Sequence, residues 1–121
     1  MLPRLSNVPQ LNNVVSDYLN ELQKQHFEGD IASNYADRLS LATDNSVYQQ
    51  LPQAILFPKS VADVVRITKL ANKEKYLHLT FTPRGGGTGT NGQSINNNII
   101  VDLSRHMTGI LELNIEERWV R

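Results

Sequence analysis

The sequence predicts an α+β fold, α/β-like at its centre: a small, mostly parallel sheet flanked by helices, with an antiparallel hairpin after it. Three observations carry this. Ala54 to Thr82 reads strand, helix, strand, a unit that favours parallel strands joined by a right-handed crossover. Five of the seven glycines lie between Gly85 and Gly92, so one loop needs a backbone freedom that the rest of the chain does not. From Ile110 onward apolar residues alternate up to Glu116-Glu117, a hairpin pattern.

The elements follow in order. Pro9 to His26 is an amphipathic helix, because Leu11, Val14, Val15, Tyr18, Leu19 and Leu22 recur at helical spacing. Pro9 suits its first turn and Gly29 lies just past its end. Asp30 to Gln53 carries weaker signals: a short helix around Tyr35–Leu41, then a polar loop at Thr43-Asp44-Asn45-Ser46. Ala54–Phe57 is a short apolar run between Pro52 and Pro58, the signature of a buried strand. Ser60-x-x-Asp63 resembles a capping box and opens a helix through Val61, Val64, Val65, Thr68 and Leu70. That helix is expected to end near Lys73–Lys75, where positive charge suits a C-terminus. Leu77–Thr82 alternates as a strand, Asn98–Leu103 is another, and Ile110–Ile115 pairs with Arg118–Arg121.

Composition excludes several functions. Twelve basic residues balance twelve acidic ones, so the basic excess of a nucleic-acid binder is missing. There is no cysteine, which rules out disulfides, thiolate metal sites, iron–sulfur ligation and a cysteine nucleophile within this chain. His26, His78 and His106 show no metal-ligand spacing. The longest apolar run is Ala54–Phe57, against roughly 20 residues needed to span a bilayer, so no membrane span is expected. Met1-Leu2-Pro3-Arg4 lacks the apolar stretch of a signal peptide, and a cytoplasmic protein is the expectation. The sequence stops at Trp119-Val120-Arg121, inside a predicted strand, which leads us to expect a longer protein.

The glycine loop, Pro83-Arg84-Gly85-Gly86-Gly87-Thr88-Gly89-Thr90-Asn91-Gly92-Gln93-Ser94, follows a predicted strand. Its backbone N–H groups can converge there on an anion. A bland alternative is a surface turn. Gly87 and Gly92 have P-loop spacing, but Gln93 stands where the lysine must be, so triphosphate hydrolysis is not expected. Gly87, Gly89 and Gly92 match a dinucleotide fingerprint, which needs a helix at once. Gln93-Ser94-Ile95-Asn96-Asn97-Asn98 is a poor helix former.

A third pattern fits better. Pro83-Arg84-Gly85-Gly86-Gly87-Thr88-Gly89 resembles the pyrophosphate loop of FAD-linked oxidases of the vanillyl-alcohol-oxidase, or PCMH, type. Leu51 to Val64 is similar to that family's first strand and the start of the next helix. Ile99 to Met107 is similar to the strand leaving the loop, and Ile110 to Asn114 to the start of its second flavin subdomain. With Tyr35-Ala36-Asp37-Arg38 and Thr43 to Tyr48, the pattern resembles bacterial FAD-dependent D-2-hydroxyglutarate dehydrogenases. Those are long proteins related to D-lactate dehydrogenase and the glycolate oxidase flavin subunit, with a cysteine-rich iron–sulfur region towards the C-terminus.

The resemblance implies an N-terminal helical segment at 1–34, a first FAD-binding subdomain at 35–108 and the start of a second at 109–121. It implies FAD as cofactor, with Pro83, Arg84, Gly85, Gly86, Gly87, Thr88, Gly89, Thr90, Asn91, Gly92 and Ser94 around its pyrophosphate and the path to the flavin. No histidine stands between Gly85 and Gly92, so the covalent attachment found in one subgroup is not expected and FAD is non-covalent. The implied reaction is hydride transfer to flavin from a 2-hydroxy acid, D-2-hydroxyglutarate or D-lactate. The catalytic residues, and any 4Fe-4S cluster, would lie beyond this chain.

Two alternatives remain beside it: a phosphate-binding or nucleotide-binding module without redox chemistry, and an autonomous interaction domain. Asp44, Ser46 and Tyr48 are expected either to approach the flavin or to cap a turn. Asp102 and His106 could face each other across a strand end, where a structural hydrogen bond is the expected reading. Lys59, Arg66, Lys69, Lys73 and Lys75 are expected to form a solvated basic face. Trp119 is expected to pack in the hairpin, whose exposed edge is expected to drive self-association.

Overall fold

The computed structural model describes residues 8–121. Its elements run α1 (Asn13–Lys24), β1 (Asp30–Ala32), α2 (Tyr35–Ser40), β2 (Ala54–Phe57), α3 (Val61–Ala71), a 3-10 turn (Glu74–Tyr76), β3 (Phe81–Arg84), β4 (Ile99–Asp102), β5 (Leu113–Asn114) and β6 (Trp119–Val120). The first four strands form one sheet in the order β1-β2-β4-β3. There β2–β4 and β4–β3 are parallel and β1–β2 antiparallel, while β5 and β6 form a separate antiparallel pair. This is the mixed α+β architecture that the sequence predicts.

The two central strands explain their own composition. Every residue of β2 and β4 is buried, because helices cover one face and a helix and loop the other. Strands covered on both faces read as continuous apolar runs, Ala-Ile-Leu-Phe and Ile-Ile-Val here. Ala54, Leu56, Ile99 and Val101 face α1 and α3, meeting Val15, Tyr18, Leu19, Leu22, Ile67 and Leu70. Ile55, Phe57 and Ile100 face the other way, towards Ala32 and Leu41. Tyr18 anchors α1 in the larger core: its ring meets Tyr76 and Phe81, each at 5.2 Å, and its hydroxyl donates to the Ile67 carbonyl at 2.9 Å.

Several local expectations shift. The N-cap of α1 is Asn12, whose side chain accepts from Val14 N–H, so Pro9 lies before the helix rather than in its first turn. Ser60 caps α3 as the sequence predicts, accepting from Asp63 N–H at 3.3 Å. The fully buried Asp63 carboxylate does not reach back to Ser60. It accepts from Lys59 N–H, Glu28 N–H and Arg66 Nη1, tying the start of α3 to the segment before β1. The helix stops at Ala71, earlier than expected, and the lysines beyond it enter the 3-10 turn.

The predicted strand at Leu77–Thr82 begins only at Phe81 and continues to Arg84. Leu77 is exposed, and its alternation with Leu79 reflects the turn after the 3-10 helix rather than a pleat. The strand–helix–strand unit is parallel, but its strands are not neighbours, because β4 inserts between β2 and β3. The short β1, with no periodicity to reveal it, went unpredicted and closes the sheet's other edge. The predicted strand Ile110–Ile115 shrinks to Leu113–Asn114, although Arg121 still exchanges backbone hydrogen bonds with Glu112.

The basic residues form a largely solvated face, with Lys59, Lys69, Lys73 and Lys75 exposed, and four of the five are ion-paired. Lys59 pairs with Asp30, Arg66 with Asp63, Lys73 with Glu21 and Lys75 with Asp17. His106 does not pair with Asp102; its Nε2 meets Asp30 Oδ2 at 2.6 Å, and Asp102 caps the Ser104 turn. Trp119 lies in the hairpin as expected, donating Nε1–H to Glu117. Among the described residues no helix is long and apolar enough to cross a membrane.

Candidate functional site

The site is built where β3 ends. Parallel neighbours β3 and β4 require the chain to travel back along the sheet, and residues 85–98 do this without a helix. The missing helix rules out the dinucleotide fingerprint geometry. Pro83 and Arg84 are the last two residues of β3, and Pro83 is tolerated because β3 is an edge strand.

The outgoing arm, Gly85 to Thr90, is open. Gly85, Gly86, Thr88 and Thr90 are exposed, and Gly87 and Gly89 half-buried. Among the described residues, no backbone N–H from Gly85 through Thr90 finds an intrachain acceptor, and the hydroxyls of Thr88 and Thr90 are likewise uncommitted. Gly87 and Gly92 have positive φ, at 68° and 76°, which explains their glycines from the backbone alone. Gly85 and Gly86 have no such need. A Cβ on Gly85 meets nothing within 4 Å, and one on Gly86 meets only the Thr88 methyl at 3.6 Å. Neither a positive φ nor packing within this chain accounts for glycine at these two positions.

Side chains brace the loop from below. The Arg84 guanidinium lies against Gly87, where an added Cβ would sit 2.7 Å from Cζ, and its Nη1 reaches towards the Ser94 carbonyl at 3.5 Å. Gln93, at the position that rules out a P-loop, accepts from Asn91 N–H at 3.0 Å and packs beneath Gly89. The return arm is held firmly. Ser94, Ile95 and Asn96 are buried, and the Asn96 amide donates to Thr82 Oγ1 and to the Ile99 carbonyl.

A second segment docks on both arms. Thr43 bridges Gln49, folding residues 43–49 into a tight loop. Asn45 N–H donates to the Gly87 carbonyl at 3.2 Å, and Ser94 Oγ donates to Asp44 Oδ2 at 3.1 Å. Asp44 Oδ1 accepts from Ser46 N–H at 2.8 Å, and Ser46 Oγ accepts from Tyr48 N–H. The Tyr48 ring lies against Gly92. The Ser46 and Ser94 hydrogen bonds hold the Asp44 carboxyl below the usual carboxylate range. The segment is the capped turn that the sequence offered as one reading, and it docks on the glycine loop. Sequence reasoning missed Asn45, Gln93 and Asn96. Their signal was slight, since Asn and Gln are ordinary loop residues and their partners are distant in sequence or on the backbone.

Uncommitted N–H donors at the carboxyl end of a parallel strand, beside glycines that packing does not require, are the features by which a loop of a nucleotide-cofactor domain can take an anion. The FAD binding domain family matches residues 52–121, more than half of the chain, and the chain belongs to that family. Among curated relatives it is 79% identical to the D-2-hydroxyglutarate dehydrogenase of Haemophilus influenzae over 121 residues, and 57% identical to that of Escherichia coli. Each match covers all of this chain and 12% of the relative, so the chain spans about an eighth of the length of the curated relatives it matches.

Solved structures show the same fold at low identity. An alkyldihydroxyacetonephosphate synthase superposes with a TM-score of 0.72 at 19% identity, over 92% of this chain and 22% of that one. A 4-ethylphenol oxidase from Gulosibacter chungangensis superposes with a TM-score of 0.60 at 21% identity, over 96% and 22%.

Proposed function

We propose that this chain supplies the pyrophosphate cradle of a flavoprotein that oxidises a 2-hydroxy acid, D-2-hydroxyglutarate in the first instance, and that it does so in the cytoplasm. The observation that carries the cradle is the uncommitted row of N–H groups from Gly85 to Thr90 over two glycines with open space above them. The substrate rests on the names of the curated relatives.

The residues fit the cofactor. A pyrophosphate carries about two negative charges near neutral pH, and successive backbone donors stabilise such an anion without a change in protonation. Gly85 and Gly86 let it approach the backbone. Gly87 turns the chain, and the Thr88 and Thr90 hydroxyls add donors. Asn91 and Gly92 lead on along the loop. Arg84 supplies the nearby positive charge from beneath. Ser94 follows on the return arm, its hydroxyl donating to Asp44. FAD, when bound, supplies the hydride acceptor for the substrate α-carbon. This chain binds and orients; the base, the substrate-carboxylate clamp and any iron–sulfur ligands belong to the remaining length of the protein. Binding without a covalent link agrees with a loop free of histidine.

The hairpin carries a second, separable proposal. Leu113 and Val120 pair across β5–β6, and with Leu111 and Ile115 near the strand all four are exposed, so this chain by itself is expected to associate through the hairpin.

The deciding experiment purifies the full-length gene product and records its visible absorption spectrum, then follows bleaching on anaerobic addition of D-2-hydroxyglutarate, D-lactate or glycolate. Flavin bands bleached fastest by D-2-hydroxyglutarate are expected. A colourless protein that takes up no FAD would overturn the cradle, and a flavoprotein bleached by none of the three acids would overturn the substrate class.

A further inference from the structure

We propose that Asp44 is a positioning residue for FAD: it does not touch the cofactor, but clasps the 43–49 segment across the glycine loop and fixes the loop with its donors facing outward. This rests on the cradle reading above and adds to it the part that sets the cradle's shape.

The outgoing arm of the glycine loop has few hydrogen bonds to hold it. A run with five glycines in eight residues samples many backbone conformations, and ordering it on ligand binding costs affinity. Something in the fold must restrict it beforehand. Two hydrogen bonds from the 43–49 segment do so, one on each arm. On the return arm, the buried Ser94 gives its only hydroxyl hydrogen to Asp44 Oδ2. On the outgoing arm, Asn45 N–H holds the Gly87 carbonyl. In a trans peptide the carbonyl and the following N–H point in opposite directions. Drawing the Gly87 carbonyl towards Asn45 therefore turns the Thr88 N–H away from the segment, to the open side.

Asp44 makes both contacts possible. Its Oδ1 takes Ser46 N–H, forming the turn that presents Asn45 N–H to Gly87. Its Oδ2 takes the Ser94 hydroxyl, pinning that turn to the far arm. Both carboxylate oxygens are thus committed to protein donors. Bonding to two neutral donors leaves the carboxylate charged, and the clasp needs Asp44 only to hold those two donors, not to meet the pyrophosphate.

The test uses the full-length flavoprotein as wild type, Asp44→Ala, Ser94→Ala, the double variant and Ser94→Thr. Each is stripped of FAD and titrated back, with flavin fluorescence giving affinity and 31P NMR giving the environment of the bound pyrophosphate. Asp44→Ala and Ser94→Ala are each expected to weaken FAD binding about tenfold and to shift the 31P resonances. The double variant is expected to match Asp44→Ala, because the Ser94 hydroxyl acts only through Asp44. Ser94→Thr, which keeps the hydroxyl, restores affinity and resonances; a role in stability alone would leave the resonances of bound FAD unmoved.

Wild-type affinity and resonances in Ser94→Ala, or losses that add in the double variant, would overturn the proposal while leaving the cradle intact. Should Asp44→Ala fail to fold, the three-way comparison of wild type, Ser94→Ala and Ser94→Thr decides by the same criteria. A wild-type protein that binds no FAD overturns the cradle reading itself, and this proposal with it.

Discussion

Adjacent glycines in the loop should fail in opposite ways when given a side chain. At Gly87 the backbone has φ 68°, and an added Cβ meets the Arg84 guanidinium. Holding a non-glycine residue in the left-handed region costs about 1–2 kcal/mol, and Arg84 must also move aside. Gly87→Ala should therefore destabilise the apoprotein by about 1–2 kcal/mol. At Gly86, φ lies outside that region and the Cβ position is open, so Gly86→Val should leave apoprotein stability within about 0.5 kcal/mol of wild type.

The cofactor reverses the order of concern. A valine at Gly86 stands on the side where the pyrophosphate approaches and holds it off at least one N–H donor. A hydrogen bond to a charged group contributes about 1.5–3 kcal/mol, so FAD affinity should fall roughly 10- to 100-fold. Urea unfolding of the apoprotein and equilibrium FAD titration by fluorescence measure the two quantities on the same samples. Wild-type FAD affinity in Gly86→Val would refute the assignment of this loop. An unchanged unfolding midpoint in Gly87→Ala would refute the backbone argument.

Three further outcomes are expected. Arg38 is buried, donating Nε–H to the Pro52 carbonyl and Nη1–H to the Pro9 carbonyl at 2.7 Å each, so Arg38→Ala should cost about 2–4 kcal/mol in urea unfolding; a change under about 0.5 kcal/mol counts against that role. Light scattering coupled to size exclusion should show this chain associating at tens of micromolar, and Leu113→Lys with Val120→Lys should return it to monomer; association untouched by both changes removes the hairpin from the explanation. The Asp30 carboxyl is held below its ordinary range, first by the His106 hydrogen bond and also by Lys59 and Arg105. A depressed folded value stabilises the fold above the ordinary carboxylate range, and that stability is lost as pH falls through the folded value. Urea midpoints measured down an acid series should therefore fall less steeply in Asp30→Asn than in wild type, and parallel slopes would contradict this.

What the sequence determined by itself had short-range causes. Ala54–Phe57 and the Ile99–Val101 run are apolar at every position because both faces are covered, and that is visible without knowing by what. Ser60 caps α3 by accepting from the N–H three residues on, and the glycine cluster announces a loop with unusual backbone freedom. Tertiary structure decided what depended on partners distant in the chain. No local signal tells that β4 slots between β2 and β3, because strand order follows from which apolar faces bury best together. No local signal pairs His106 with Asp30, 76 residues away, rather than with Asp102, four away. The same holds at the site. Asp44 and Ser94 are 50 residues apart, and only folding brings the carboxylate behind the glycine loop to meet a buried hydroxyl. A hydrogen bond acts over about 3 Å of space whatever the separation in sequence, so a clasp of this kind has no period and no spacing by which a sequence could reveal it.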